Sequence, residues 1–244
     1  MKSFIAFWNI LAKDMKNYYL KPPNISWGII FPFAWMLMML IKTKSVFDIA
    51  EVFPGIIAMS VLFGTTSMLS VTITFERKSR SFERLLIAPI KIELLVLSKI
   101  TGAILFGIFN SVIPVLISVF YFNASVRDWL FLSISIILLS VISTLLGLFI
   151  AVTAKEVFEA QTYSNFYRFP MIFLCGLFVP VKALPILIRP LSYILPVTYG
   201  VDALRYSING NNNFSLPLDI MTLFTFCIFL FYLSIFNIKK RWIP

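Results

Sequence analysis

The chain has 244 residues, of which 59% are hydrophobic and only 13% are charged, and its formal net charge is +10. A soluble domain carries roughly 25% charged residues, so the composition excludes a soluble protein and indicates an integral membrane protein. The length allows about six spans of roughly 20 residues each. An excess of Lys and Arg is typical of the cytoplasmic loops of such proteins, so the net charge does not indicate a nucleic-acid partner.

Residues 1–22 are predicted to form an amphipathic helix that lies in the membrane interface. Apolar side chains recur there at three- and four-residue spacing: Phe4, Phe7, Trp8, Leu11, Met15, Tyr18 and Tyr19. Lys13 and Lys16 fall mostly on the opposite side. Lys21-Pro22-Pro23 should end this helix, because proline cannot continue a helix and restricts the residue before it. A disordered start to the chain is the alternative.

Six apolar segments are predicted to cross the bilayer. They cover about residues 25–41, 52–75, 100–122, 129–154, 161–180 and 216–238. The loops on one side, together with both termini, carry 15 of the 21 Lys and Arg residues, and the loops on the other side carry six. The positive-inside rule therefore places both termini and the charged segment 76–99 in the cytoplasm.

Residues 181–207 are apolar but do not predict a span. Three prolines interrupt the segment, so neither half is long enough to cross the membrane. An extracytoplasmic re-entrant helical hairpin before the last span fits this pattern, because broken helices occur at membrane depth only where protein covers them. Asp202 and Arg205 stand three residues apart and are expected to pair, which lowers the cost of burying either charge.

The usual patterns for nucleotide binding and catalysis are missing. The chain has no GxxxxGK[ST] motif, since Ile108-Phe109 follow Gly102 and Gly107 where a phosphate-binding Lys and Ser/Thr belong. It has no histidine, and its two cysteines form no zinc motif. We therefore expect no cofactor on this chain and no enzymatic activity. An intramembrane enzyme is the weakest of the alternatives.

Polar residues that would be costly inside the membrane are sparse. Asn165 and Arg168 lie near the start of the fifth predicted span. Ionisable groups within a span mark pathways by default. For Arg168, however, we expect an interface anchor whose head group snorkels to water.

Two segments resemble a known family. Residues 76–89, ERKSRSFERLLIAP, closely resemble the ERExGTLERLLxTP loop of type-2 ABC exporter permeases. Residues 169–205, which contain FP, CGLFVP, ALP and LPVTYGVDALR, look like that family's C-terminal signature. The separation of the two motifs also fits, so the resemblance covers essentially the whole chain. Ser79-Arg80 departs from the motif, which has Gly-Thr at this turn.

The resemblance implies an all-α polytopic membrane protein, a single transmembrane domain over residues 1–244 that serves as the permease subunit of an exporter. Two permease subunits, expected to be identical, would surround a central path. A cytoplasmic ABC ATPase would dock on each subunit and bind the ATP and Mg²⁺. The N-terminal segment lacks the RxRY-like pattern of polysaccharide exporters, so the chain looks more like the drug- and lipid-type branch.

In this family the loop after the second span forms a coupling helix, expected here at about residues 77–90, which the ATPase grips. The residues expected to couple to the ATPase are Glu76, Arg77, Arg80, Phe82, Glu83, Arg84, Leu85, Leu86 and Pro89. The large apolar members would form a knob inside a charged rim, as in a protein interface. Pro89 would end the helix. A solvated loop that only anchors topology is the alternative.

The resemblance also implies that the second and fifth spans shift around the substrate path, with the 181–207 hairpin as the outer gate. Residues expected at the path or gate are Asn165, Phe169, Pro170, Gly176, Pro180, Pro196, Tyr199, Asp202 and Arg205. The 16% aromatic content suits an amphipathic, lipid-like or drug-like cargo, although phenylalanines facing the membrane lipids would give the same composition. A non-transporting scaffold that anchors an ATPase at the cell membrane is the alternative function.

Overall fold

The computed structural model describes residues 2–42, 49–87 and 90–242, and 84% of it is helix, with no β-strand in that described part. The predicted all-α class is therefore confirmed. The helices are α1 (Lys2–Asp14), α2 (Pro22–Lys42), α3 (Ile49–Lys78), α4 (Ser81–Ile87), α5 (Ile92–Phe120), α6 (Trp129–Thr153), α7 (Val157–Leu174), α8 (Arg189–Ile194), α9 (Pro196–Asn209) and α10 (Leu216–Trp242). A π-helical turn, Met15–Tyr19, follows α1, and a 3-10 turn, Val181–Ala183, precedes α8.

α3 lies at the centre of the bundle. It contacts α2, α5, α6, α7 and α9, and 89% of its most apolar 18 residues are buried, against 28% for α10. Small residues allow this packing: a Cβ added to Gly147 of α6 would lie 2.5 Å from the Thr66 carbonyl oxygen. Thr66 Oγ1 also donates to the Ser143 carbonyl oxygen over 3.1 Å. Close backbone approach at small residues is how helices associate in lipid.

Four helices of the described chain are long and apolar enough to cross a membrane: Val52–Lys78 within α3, α5, α6 and Leu216–Lys240 within α10. α2 and α7 occupy the other two predicted spans, and their crossing stays a prediction. α7 ends at Leu174, earlier than the predicted 180. The reason is Gly176, whose φ of +79° is a left-handed conformation that ends helices.

The predicted N-terminal helix is present as α1 and its π-helical turn. Leu11 and Tyr19 are buried towards α5, whereas Phe4 and Trp8 are exposed. Large exposed apolar side chains opposite a packed face are typical of a helix in a membrane interface, and this location stays a prediction. α2 begins at Pro22, a position at which a helix tolerates proline because its first N–H has no partner.

The predicted coupling helix at 77–90 is shorter in the structure. α3 continues to Lys78, the chain turns at Ser79-Arg80, and α4 covers only seven residues. The break follows from Arg80, whose φ of +56° is incompatible with a right-handed helix. Residues 88–89, including the predicted stop at Pro89, lie outside the described residues.

The segment 181–207 contains two helices, α8 and α9, separated by a break at Leu195. α9 packs against α3, α6 and α10 and is mostly buried. The stretch before it exposes large apolar side chains, among them Leu187 and Ile194. α9 ends at Asn209, and the next residue, Gly210, has a left-handed φ of +73°. A helical pair is therefore present, and its re-entrant position stays a prediction.

Candidate functional site

The turn that joins α3 to α4 is the first of two places where polar side chains converge. The hydroxyls of Ser79 and Ser81 both donate to the Glu76 carbonyl oxygen over 3.1 Å, which satisfies a free carbonyl at the end of α3. Arg80 adopts a left-handed conformation that glycine adopts without steric cost. The glycine of the family motif aligns with Arg80 and its threonine with Ser81, one residue later than expected. The departure from the motif thus falls on a left-handed residue.

Four charged side chains beneath this turn form a buried charge cluster: Lys13 and Asp14 of α1, Glu76 of α3 and Lys99 of α5. Lys13 Nζ lies 2.7 Å from Glu76 Oε1 and 3.0 Å from Asp14 Oδ1. Lys99 Nζ lies 2.9 Å from Asp14 Oδ2 and contacts Glu76 Oε2. The side chains of Asp14, Glu76 and Lys99 are at most 1% exposed. The cluster therefore joins three helices through charges that have almost no contact with water.

The balance of the buried charge cluster makes its burial possible. Two cations face two anions, and an isolated charge there would carry the full cost of desolvation. Burial acts to lower the pKa of Lys13, but its hydrogen bond to Glu76 and the charge of Asp14 outweigh this effect, so the pKa rises above its ordinary value. Lys13 is therefore a cation at physiological pH. Loss of one member would leave the numbers of cations and anions in the cluster unequal.

Two side chains connect the α3–α4 segment to the rest of the bundle. Phe82 of α4 is 2% exposed, and its ring centroid lies 5.9 Å from Lys99 Nζ. Arg77 Nη1 donates to the carbonyl oxygens of Ala151 and Ala154 at the end of α6, over 3.3 and 3.2 Å. Phe82 was expected in a knob that contacts the ATPase. It lies inside the chain instead, because α4 folds back against α3 and places the ring over the cluster.

The outward-facing members of the predicted coupling set are Arg80, Glu83 and Arg84. Leu85 is half-buried, and the side chain of Leu86 lies outside the described residues. α4 thus presents charge to the outside and an aromatic ring to the inside. Its contact with an ATPase stays a prediction.

The second place is a cavity of about 530 Å³ between α2, α3 and α7. Its lining residues are Phe31, Phe63, Gly64, Ser67, Met68, Val71, Gln161, Asn165, Arg168 and Phe169. Most of the wall is apolar, and its polar groups are concentrated on α7. A volume between 300 and 1,000 Å³ with a few placed polar groups is typical of small-molecule sites.

Arg168 is the charged residue of this cavity wall, and it is 3% exposed. Its Nε donates to the Ser164 carbonyl oxygen over 3.1 Å, Nη1 to the Phe63 carbonyl oxygen over 3.4 Å, and Nη2 to Asn165 Oδ1. The guanidinium carbon lies 4.2 Å from the centre of the Phe63 ring. The expectation of a snorkelling anchor is therefore wrong, because the side chain is buried, with two hydrogen-bond acceptors on its own helix α7 and one on α3.

Asn165 and Phe169, two of the nine predicted path or gate residues, line the cavity, and the exposed Pro170 follows them in α7. The second predicted span, which is α3, is expected at the path, but none of its residues is named, and α2 has no predicted role there. A sequence does not say which face of each helix meets α7. One signal was present. Gln161, Asn165 and Arg168 stand at i, i+4 and i+7, which places them on one helix face.

The other six predicted path or gate residues lie around α8 and α9, away from the cavity: Gly176, Pro180, Pro196, Tyr199, Asp202 and Arg205. The Asp202 carboxylate accepts hydrogen bonds from the backbone N–H groups of Asn213 and Phe214, over 2.8 to 3.0 Å. Arg205 Nη2 donates to the Gly176 carbonyl oxygen over 2.8 Å. The expected Asp202–Arg205 pair therefore does not form, because the two side chains hold different loops.

The remaining contacts in this region are structural. Tyr199 Oη donates to the Tyr193 carbonyl oxygen over 2.8 Å, which fastens α9 to α8. Pro196 is the first residue of α9, and Pro180 directly precedes the 3-10 turn. A role as outer gate stays a prediction for all six residues.

Sequence reasoning also missed three members of the buried charge cluster. Helical periodicity puts Lys13 on the polar side of the interface helix, and neither it nor any motif predicts a partner for Asp14 or Lys99. The available signal was the position of Asp14 and Lys99 beside apolar stretches. Isolated ionisable residues in such places are costly, so each implies a partner of opposite charge.

Comparison with known proteins shows that the sequence similarity extends beyond the two motifs to nearly the whole chain. The family model described as ABC-2 type transporter matches residues 5–209. "Inner membrane transport permease YadH" of Escherichia coli K12 is 26% identical over 246 positions, which cover 98% of this chain and 96% of that protein. "Nodulation protein J" of Rhizobium meliloti strain 1021 is 25% identical, with 97% and 95% covered.

A third relative is "Probable multidrug ABC transporter permease YbhS" of Escherichia coli K12. It is 26% identical over 193 positions, which cover 78% of this chain and 51% of that protein. The apolar helices and the inner membrane permease among the relatives identify a multi-pass protein of the cytoplasmic membrane. Family membership also implies an ABC ATPase as partner. The chain belongs to the ABC-2 type transporter family, as a membrane-spanning permease of an ABC transporter.

Proposed function

We propose that this chain is the permease subunit of an exporter that moves an amphipathic, lipid-like or drug-like substrate out of the cell. Its complex would contain two permease chains, expected to be identical, and two cytoplasmic ABC ATPases that bind ATP and Mg²⁺. The name of the multidrug relative and the mostly apolar cavity support this type of substrate.

The proposed topology has six spans, formed by α2, α3, α5, α6, α7 and α10, with both termini in the cytoplasm. The distribution of Lys and Arg supports this orientation, because 15 of the 21 fall on one side. α2 and α7 are the two spans that the proposal adds to the four long apolar helices, and residues of both line the cavity. The α8–α9 pair would then lie on the outer side as a gate, with α4 on the cytoplasmic side.

The main support for the proposal is that the α3–α4 segment has an exposed charged side and a side that packs against the helix bundle. Arg80, Glu83 and Arg84 are free to meet an ATPase. Phe82 rests over the buried charge cluster, which ties α1, α3 and α5 together. A displacement of α4 by the ATPase would therefore move several helices at once, including α3 at the wall of the cavity.

Charge reversal at Glu83 or Arg84 tests this coupling. In liposomes that contain the permease and its ATPase, we expect Glu83→Arg and Arg84→Glu each to lower ATP-driven transport by roughly tenfold or more, because like charges would then meet across the contact. Membrane insertion should be unchanged, since both side chains are exposed. Lys240→Glu, which reverses an exposed charge at the end of α10, is the matched control and should transport normally. Full transport by both α4 variants would contradict the proposal.

A scaffold that only holds an ATPase at the membrane would give a different result in the same liposomes. Substrates would not stimulate ATP hydrolysis, and no fluorescent amphipathic dye would accumulate inside these liposomes when ATP is added outside. Substrate-dependent hydrolysis with accumulation supports the exporter.

A further inference from the structure

The cavity contains a cation without a counterion. Arg168 donates three hydrogen bonds, and all three acceptors are neutral oxygens. Among the described residues, no carboxylate oxygen lies within 4.0 Å of its guanidinium nitrogens. A guanidinium carries five N–H donors, so two remain for another acceptor. A buried charge with only neutral partners is costly, and at membrane depth such a residue marks a functional site.

The groups around Arg168 favour an anionic acceptor. Asn165 Oδ1 accepts from Nη2, which fixes the orientation of the planar guanidinium at the cavity wall. Gln161 lies on the same face one turn before Asn165 and lines the cavity as well. Its amide adds donors for an oxyanion. A guanidinium fork matches the geometry of carboxylate, phosphate and sulfonate oxygens.

The rest of the cavity wall is largely apolar. Phe31, Met68 and Val71 line it together with Phe63 and Phe169. The Phe63 ring centroid lies 4.2 Å from the guanidinium carbon, which stabilises the cation. The cavity thus combines an apolar surface with a fixed cation that has free donors.

We propose that the cavity selects amphipathic anions, molecules in which a carboxylate, phosphate or sulfonate adjoins an apolar body, and that Arg168 binds the anionic group. This inference rests on the proposed function, because it names the substrate class of the exporter. Neutral and cationic molecules of the same shape would bind more weakly. Asn165 acts as a positioning residue for the guanidinium.

The test measures binding to the full chain in nanodiscs of phosphatidylcholine, without the ATPase. The probes are 1-anilinonaphthalene-8-sulfonate and N-phenyl-1-naphthylamine, which share an aromatic body and differ in the sulfonate. We expect Arg168→Gln to weaken binding of the sulfonate probe by roughly ten- to a hundredfold. The neutral probe should change by less than about twofold, because its contacts are apolar.

Two further variants sharpen the result. Arg168→Lys keeps the positive charge but loses the planar guanidinium. Its affinity for the sulfonate probe should therefore lie between those of the unaltered chain and Arg168→Gln. Lys240→Gln removes an exposed cation at the end of α10, outside the cavity wall, and should bind both probes as the unaltered chain does. Equal losses for both probes, or no loss for either, would overturn the inference. So would a loss of permease dimers in Arg168→Gln with unchanged probe binding, which would assign the guanidinium to a contact between subunits.

A competition experiment on the unaltered chain does not depend on how the variants fold. Dodecyl phosphate should displace the sulfonate probe, whereas dodecanol, dodecyltrimethylammonium and inorganic phosphate alone should not. If phosphatidylglycerol in the nanodisc also displaces the probe, the anion comes from a membrane lipid; if it does not, the ligand is a free amphiphile. Equal displacement by dodecanol and dodecyl phosphate would overturn the inference.

The binding result is independent of export. Anion-selective binding without ATP-driven transport would contradict the proposed export function and support the anion site. ATP-driven transport of neutral and cationic dyes with no preference for anions would support export and contradict the anion site.

Discussion

Lys99 is the residue on which the buried charge cluster depends most. It contacts the carboxylates of both Asp14 and Glu76, and its side chain is 1% exposed. Lys13, by contrast, is 36% exposed and can exchange its contacts for water. Two buried carboxylates would therefore be left with one half-exposed cation if Lys99 were lost.

We expect Lys99→Met to destabilise the chain by about 3–5 kcal/mol, the usual cost of removing one partner from a buried ion pair. The measurement is thermal unfolding in detergent. The double variant Asp14→Asn with Lys99→Met should recover part of this loss, because Lys13 and Glu76 can then form a neutral pair.

Lys239→Met is the matched control for this substitution. Lys239 Nζ lies 2.8 Å from Glu93 Oε1, but both side chains are about half exposed. Surface pairs of this kind contribute little to stability because water and salt screen them, so the melting temperature should change little. Similar melting temperatures for Lys99→Met and Lys239→Met would show that the buried charge cluster contributes no more to stability than an exposed ion pair.

At the scale of elements, the contact between α3 and α6 depends on small residues. A Cβ at Gly147 would lie 2.5 Å from a backbone oxygen of α3, so the helices would have to separate. A Cβ at Gly102 would meet only side-chain atoms of Tyr19 and Leu11, at 3.2 and 3.3 Å. The two glycines are therefore a matched pair, both within helices.

Gly147→Ala should destabilise the chain by about 1–3 kcal/mol through overpacking, visible as a lower unfolding temperature. In Gly102→Ala the better helix propensity of alanine, worth roughly 1 kcal/mol, offsets a small adjustment of side chains. If the two variants unfold at the same temperature, close contact between α3 and α6 is not a determinant of stability.

The existence of most helices could be predicted from apolar periodicity, and some of their ends could not. The predicted break near Pro22 was found, because proline acts locally. The end of α7 at Leu174 and the break before α4 depend on left-handed residues, Gly176 and Arg80. Arg80 carries no sequence signal for that conformation, since a non-glycine residue adopts it only where the surrounding contacts require it.

At the scale of the whole molecule, the site was less predictable than the fold. The family motifs point to segments 76–89 and 169–205. The first contains Glu76 of the buried charge cluster, and the second contains Phe169 of the cavity wall. The partners of these residues come from α1, α2 and α5, which the motifs do not include. Such contacts depend on how helices distant in sequence pack together. A single sequence does not specify this, because lipid-facing and protein-facing sides of a span are equally apolar.

The proposed orientation can be tested by labelling introduced cysteines. Cys175 and Cys227 are both buried, so a membrane-impermeant maleimide should leave them unlabelled. Lys78→Cys and Asn211→Cys each place a thiol at an exposed position, at opposite ends of the bundle in the proposed topology. In intact cells the reagent should label Asn211→Cys alone, and after permeabilisation it should label both. Labelling of Lys78→Cys in intact cells would contradict cytoplasmic termini.

The buried charge cluster makes α1 and the α3–α4 turn parts of one thermodynamic unit. If α1 lies at the membrane surface and α4 meets the ATPase, the depth of α1 and the affinity of the ATPase are linked. If a lipid that binds at α1 changes the affinity for the ATPase by a given factor, ATPase binding must change the affinity for that lipid by the same factor. The permease would then report the state of the cytoplasmic leaflet to its own ATPase.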